Sequence, residues 1–178
     1  MAFERAVTDS IAGETSAASE RPRVLASRSA LRNDAAMVFL LDSRLAADCI
    51  VVGDLALCRV LLMNDARFPW LILVPRRTGA REIIDLLDED QAQLMCEVAV
   101  ASRALRVLVA PHKLNVAALG NSVAQLHVHV IARTQTDAAW PRPVWGVGEA
   151  APYAAGAAQA LAAKIDAVLV SITQTARV

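Results

Sequence analysis

The chain has 178 residues, 56% of them hydrophobic, and its 18 basic side chains balance 18 acidic ones. That length suits one domain with a proper core. Zero formal charge leaves no electrostatic footprint for nucleic acid or an anionic membrane.

Cys49, Cys58 and Cys96 are odd in number and widely spaced. They read as small buried hydrophobes in a reducing compartment, not as a disulfide framework or zinc knuckle. No apolar run reaches the length of a membrane span, and the N-terminus lacks a secretory pattern. A soluble cytoplasmic protein is the expectation.

Residues 1–36 are poor in large apolar side chains and read as a disordered or loosely packed extension. From Met37 to about residue 150 the pattern is that of a folded domain. Cys49–Val52 and Leu57–Met63 read as strands separated by a Gly53-Asp54 turn, and Trp70–Val74 as a third strand ending at Pro75. Asp88 and Gln91 resemble a capping box opening a long helix to Val109, with Leu94, Val98, Ala101, Leu105 and Leu108 on one stripe. Pro111 stops that helix, and strands are expected at Lys113–Leu119 and Ala124–Ala132. Residues 151–178 read as a C-terminal helical segment with Leu161, Ile165, Val168 and Ile172 on a narrow stripe, suited to packing on the sheet or a second subunit. Strand–strand–strand–helix–strand–strand is not a βαβ alternation, so an α+β domain built on an antiparallel meander is predicted.

The chemistry concentrates in Gln125-Leu126-His127-Val128-His129-Val130-Ile131, which holds two of the three histidines. Alternation sends Leu126, Val128 and Val130 into a core and aligns Gln125, His127 and His129 on the other face. A metal site would need a third ligand, and no Cys or Glu lies nearby. Two inert, hydrogen-bonded histidines are the structural alternative. The third reading is nucleophilic or acid–base catalysis: neutral imidazole attacks a phosphorus or acyl centre, and Ser122 and the backbone N–H groups of the adjoining Gly120-Asn121-Ser122 turn hold the charged oxygens.

These residues, with Asn115, the Asn64-Asp65 turn, Trp70–Pro75-Arg76 and Trp140-Pro141, resemble the histidine-triad (HIT) superfamily of nucleotide hydrolases and transferases, over about residues 38–146. The resemblance implies a HIT-like fold and a homodimer, with a nucleotide conjugate as substrate and no metal or other cofactor. It implies His127 as the nucleophile on an α-phosphorus and His129, Ser122 and Asn115 on the phosphate side, near Asn121. It also implies Asp65, beside Asn64, on the ribose hydroxyls. Three positions depart from the family pattern: Gln125, Trp70 and Thr78, the last in place of a histidine just after the Pro-basic turn. Gln125 replaces the first histidine of the triad and cannot carry a proton at neutral pH. Trp70 stands where many relatives have another histidine; it reads as a base-stacking platform or as core.

Overall fold

The computed structural model describes residues 39–175; the predicted extension over 1–36 and the domain start at Met37 lie outside them. In chain order the elements are α1 (Ser43–Asp48), β1 (Cys49–Asp54), β2 (Cys58–Met63), β3 (Trp70–Pro75), a 3₁₀ turn (Ile83–Asp85), α2 (Asp88–Val109), β4 (Lys113–Ala117), β5 (Val128–Arg133) and α3 (Ala157–Thr175). The five strands form one antiparallel sheet in the order β1-β2-β3-β5-β4. This is the α+β fold that the strand and helix patterns predict.

Strand alternation divides the sheet into two differently used faces. Val60, Leu62, Leu71, Leu73, Val128 and Val130 join a core with Leu94, Val98, Ala101 and Leu105 of α2 and Ala162, Ile165 and Leu169 of α3. Truncating one of these leucines to Ala costs about 2–5 kcal/mol through lost burial and the cavity left behind. Leu61, Trp70, Ile72, Val74 and Ile131 face the opposite way and pack with Leu45, Phe68, Ala139 and Val144. That face has α1 and loops over it, not long helices, and it carries the histidines.

A buried carboxylate ties helix to sheet. Glu97 on α2 accepts the backbone N–H groups of Leu57 and Cys58 at 2.7 and 2.8 Å, satisfying two donors at the β1–β2 turn.

Several boundaries differ from the sequence reading. Gly53-Asp54 belongs to β1, at a register shift between Val51 and Gly53, and the turn lies at 55–57. A Cβ on Gly53 would meet Asp166 Oδ1 at 2.5 Å, so the approach of β1 to α3 accounts for the glycine. A capping box is found at Glu82 and Asp85, where it opens the 3₁₀ turn, and not at Asp88 and Gln91; Leu87 caps α2 without a side-chain bond, and Gln91 donates to the Leu86 carbonyl. Strand β5 starts at Val128, because the preceding residues bond to other segments. Cys58 is buried, but Cys49 is half-buried and Cys96 is exposed on α2. The C-terminal helix packs on its own sheet beside α2.

Candidate active site

Val128 and Val130 are drawn into the helix-covered core, which turns His127 and His129 to the other face, both of them buried. There a cavity of about 320 Å³ is lined by Trp70, Asn121, Ser122, His127 and His129. Leu45, Asp48 and Cys49 close it from α1 and the start of β1. Met63, Ile72, Leu119, Val123 and Trp145 complete the wall.

Hydrogen bonds assign the tautomers of both imidazoles. His127 Nδ1 lies 2.6 Å from the Gln125 carbonyl oxygen. A carbonyl only accepts, so Nδ1 carries a proton, and in the neutral ring the lone pair is on Nε2. Gly120 lies beside this ring: a Cβ there would sit 2.9 Å from the Val123 carbonyl oxygen and 3.5 Å from His127 Cε1. The turn can pass this close to the imidazole only without a side chain.

His129 has the opposite tautomer. The indole Nε1–H of Trp70 donates to Nδ1 at 3.0 Å, and an indole N–H cannot accept, so the proton of His129 is on Nε2. That N–H donates to the Leu119 carbonyl at 3.3 Å. Both nitrogens are therefore engaged. Burial, then repulsion from His127, pushes the His129 pKa down to about 4 against the opposing effect of the Leu119 carbonyl, so the ring stays neutral. It packs edge-on against His127, Trp70 and Trp145, with ring centroids 4.9, 5.4 and 5.3 Å away. Trp70 thus supplies a fixed donor at a position where the family resemblance anticipates a titratable imidazole.

The other residues anticipated at the site hold its walls. Gln125 spends its amide on the segment before α1, accepting the Asp42 N–H and donating to the Leu40 carbonyl, both at 2.9 Å. Asn115 accepts from the buried guanidinium of Arg133 at 2.7 Å; Arg133 also binds Asp137 and the Arg142 carbonyl. Asp65 is paired with Arg67 at 2.6 Å. Burial opposes its charge, but hydrogen bonds from Arg67 and the Ala151 N–H prevail and hold its pKa below the ordinary value. Arg67 donates in turn to the Val147 carbonyl, and Asn64 accepts the Tyr153 N–H. Asn115 and Arg133 thus brace one end of the loop that carries Trp145, while Asn64, Asp65 and Arg67 brace the other. None of Asn64, Asp65, Asn115 and Gln125 lines the cavity itself.

Asp48, Cys49 and Leu45 escape a sequence reading because they come from a segment distant in the chain from the histidines. The Asp42-Ser43 start before an alanine-rich run is a readable signal for α1: Asp42 caps it by accepting the Arg44 N–H at 2.8 Å. Burial pushes the Cys49 thiol up to about 12, with Asp48 adding to the rise, so it is an inert wall group and not a nucleophile.

At residues 121–125 no backbone N–H donates a hydrogen bond to another described residue. An imidazole nitrogen with no hydrogen-bond partner among the described residues, unspent N–H groups in the adjoining segment and an aromatic-lined cavity together form a pattern suited to an anionic centre attached to a flat apolar group.

Comparison with known proteins agrees with the fold and the histidine motif. Residues 44–136 match the HIT domain family model. A histidine triad protein from Bradyrhizobium japonicum is 51% identical, the match covering 75% of this chain and 99% of that one, with a TM-score of 0.72. One from Marinobacter aquaeolei is 47% identical over 76% and 98% (TM-score 0.73), and one from Sinorhizobium meliloti 48% over 71% and 94% (TM-score 0.70). No curated protein matches the chain. With its match to the family model and close likeness to three solved histidine triad proteins, this chain belongs to the HIT family.

Proposed function

We propose that the protein hydrolyses a nucleotide conjugate, or transfers its nucleotidyl group, through a nucleotidyl intermediate on His127. The observation that carries this reading is the 2.6 Å contact between His127 Nδ1 and the Gln125 carbonyl, which leaves Nε2 as the free nitrogen. Its lone pair attacks the α-phosphorus, an N–P bond forms, and the bond to the leaving group breaks with its electron pair. Water then attacks the same phosphorus, the N–P bond breaks, and the imidazole recovers its lone pair. The product is a nucleoside monophosphate, and the proton from water goes to solvent.

The cavity supports this assignment. Trp70 and Trp145 offer apolar surface to a base, and Asp48 at the wall offers a carboxylate to sugar hydroxyls. Ser122 and the N–H groups of 121–125 would meet the phosphate oxygens, where charge builds in the transition state. His129 holds the nucleophile's ring in place instead of transferring a proton. Homodimer formation is part of the proposal, testable by light scattering.

Incubation with an adenylylated substrate is expected to trap an acid-labile adenylyl adduct on His127. His127→Ala should abolish turnover while circular dichroism and melting stay near wild type; full activity in that variant would refute the assignment. A second reading, a HIT-fold nucleotide binder without turnover, is favoured by Gln125 and His129 having their polar atoms engaged. Calorimetric binding of AMP without cleavage of any conjugate would select it.

A further inference from the structure

A second cavity, of about 260 Å³, shares Asn121 and His127 with the first, so the two meet at the proposed nucleophile. Their chemistry differs. The first holds both tryptophans of the site, whereas the second is bordered by Arg81, Glu82, Asn121 and Gln125 and has no Trp, Tyr or Phe.

Arg81 sits on a fixed corner. Its backbone N–H and that of Glu82 donate to Asp85 Oδ2 at 2.9 and 2.8 Å. Glu82 and Asp85 complete a reciprocal capping box, so both carboxylates have backbone partners. The Leu126 N–H donates to the Ala80 carbonyl at 2.9 Å, binding this corner to the histidine segment. The Arg81 guanidinium and the Asn121 amide make no hydrogen bond or ion pair with any described residue, although the Arg81 charge acts at longer range on Asp85. Two donors without protein acceptors therefore border a cavity that His127 also lines.

We infer that this cavity is the leaving-group subsite, and that it takes an anionic, phosphate-terminated leaving group and not an amine. The inference rests on His127 being the nucleophile. When the P–O bond of a phosphoanhydride breaks, the departing phosphate keeps the electron pair as negative charge, which Arg81 and Asn121 are placed to receive. No proton has to be delivered. An amine leaving by P–N cleavage must gain one, and the side chains at 125 and 129 do not carry one to this cavity, while the Ser122 hydroxyl borders the other cavity. Position 125 is an amide bonded to Leu40 and Asp42, and both nitrogens of His129 are engaged.

The test compares the full chain with Arg81→Gln on two substrates that share a nucleoside, diadenosine tetraphosphate and adenosine 5′-phosphoramidate. The wild type is expected to prefer the polyphosphate. The ratio of the two kcat/KM values should fall about 10- to 100-fold in Arg81→Gln, as expected for a lost charged hydrogen bond, with partial rescue by Arg81→Lys. An unchanged ratio, or a wild-type preference for the phosphoramidate, overturns the subsite while leaving the nucleophile standing. If neither substrate is cleaved and no adduct forms on His127, the nucleophile reading has failed, and inorganic tripolyphosphate binding decides the subsite alone. Binding at least tenfold weaker in Arg81→Gln supports it; equal affinity refutes it.

Discussion

Replacing Trp70 by Phe keeps an aromatic ring in the aromatic cluster but removes the one N–H that fixes His129. A buried acceptor that loses its donor costs about 1–3 kcal/mol, and the smaller ring adds about 1 kcal/mol through imperfect filling. A loss of roughly 2–4 kcal/mol at pH 7.5 is therefore expected. The pH dependence separates this mechanism from simple packing. In the wild type the folded chain refuses a proton on His129 until about pH 4, whereas the unfolded chain takes it near 6.5. Stability contributed by the neutral ring is fully present above pH 6.5 and is lost as the pH falls towards 4. The whole span is worth about 3 kcal/mol, at 1.36 kcal/mol per unit. In Trp70→Phe the hydrogen bond that favours the neutral ring is lost, so the folded-state pKa should rise, while burial and His127 still hold it below 6.5. The acid loss then becomes shallower, and the variant closes on wild type by about 1.4 kcal/mol per unit recovered. Urea denaturation at pH 7.5 and 4.5 measures the closing gap, and ¹⁵N imidazole shifts report the tautomer. Parallel stability curves, or a wild-type spectrum with the proton on Nδ1 of His129, would refute this account.

Gly120→Ala places a methyl group 2.9 Å from the Val123 carbonyl and 3.5 Å from the His127 ring; kcat should fall tenfold or more with a small change in melting temperature, and an undiminished kcat would show the turn to be free to move. Glu97→Ala strands the buried N–H groups of Leu57 and Cys58; chemical denaturation should read a loss on the order of 2–5 kcal/mol with kcat nearly unchanged at 25 °C. Asn115→Ala removes an acceptor from Arg133, which braces the loop carrying Trp145; the expected signature is a raised KM with altered tryptophan fluorescence, and an unchanged KM would mean that Asp137 alone holds the loop. Asp48→Ala should raise KM more for a ribonucleotide than for its 2′,3′-dideoxy counterpart, and equal effects would remove Asp48 from the sugar site.

The architecture was legible where hydrophobic period controls the outcome. Val128 and Val130 alternating with His129 announced both faces of β5, and the stripe through Leu94, Val98, Ala101 and Leu105 announced α2. Strand ends were not legible in the same way. The β1–β2 turn is placed by a carboxylate 40 residues away, Glu97 on Leu57, and by the close approach of Asp166 to Gly53. Neither leaves a local mark in the chain.

The site divides along the same line. Asn121, Ser122, His127 and His129 are close in sequence, and the turn between β4 and β5 brings them to one cavity whatever the rest of the domain does. Side chains further away depend on which partner reaches them first. Asp65 looks like a ligand group until Arg67, two residues on, closes over it in a bidentate pair. Asn115 is taken by Arg133, and Gln125 by the backbone of Leu40 and Asp42. A polar side chain engaged in this way still serves the site, at one remove. Gln125 fixes the segment that leads into α1 and hence Leu45 and Asp48, while the two arginine clamps fix the loop that brings Trp145 over His129. A glutamine can bind an acceptor and a donor of one backbone segment at once, which a singly protonated imidazole at position 125 would do only in a different geometry. With the first triad histidine replaced, position 125 gives up proton chemistry and becomes the brace for a cavity wall. On the proposed mechanism, chemistry is then confined to His127, with a tryptophan-locked His129 at its back.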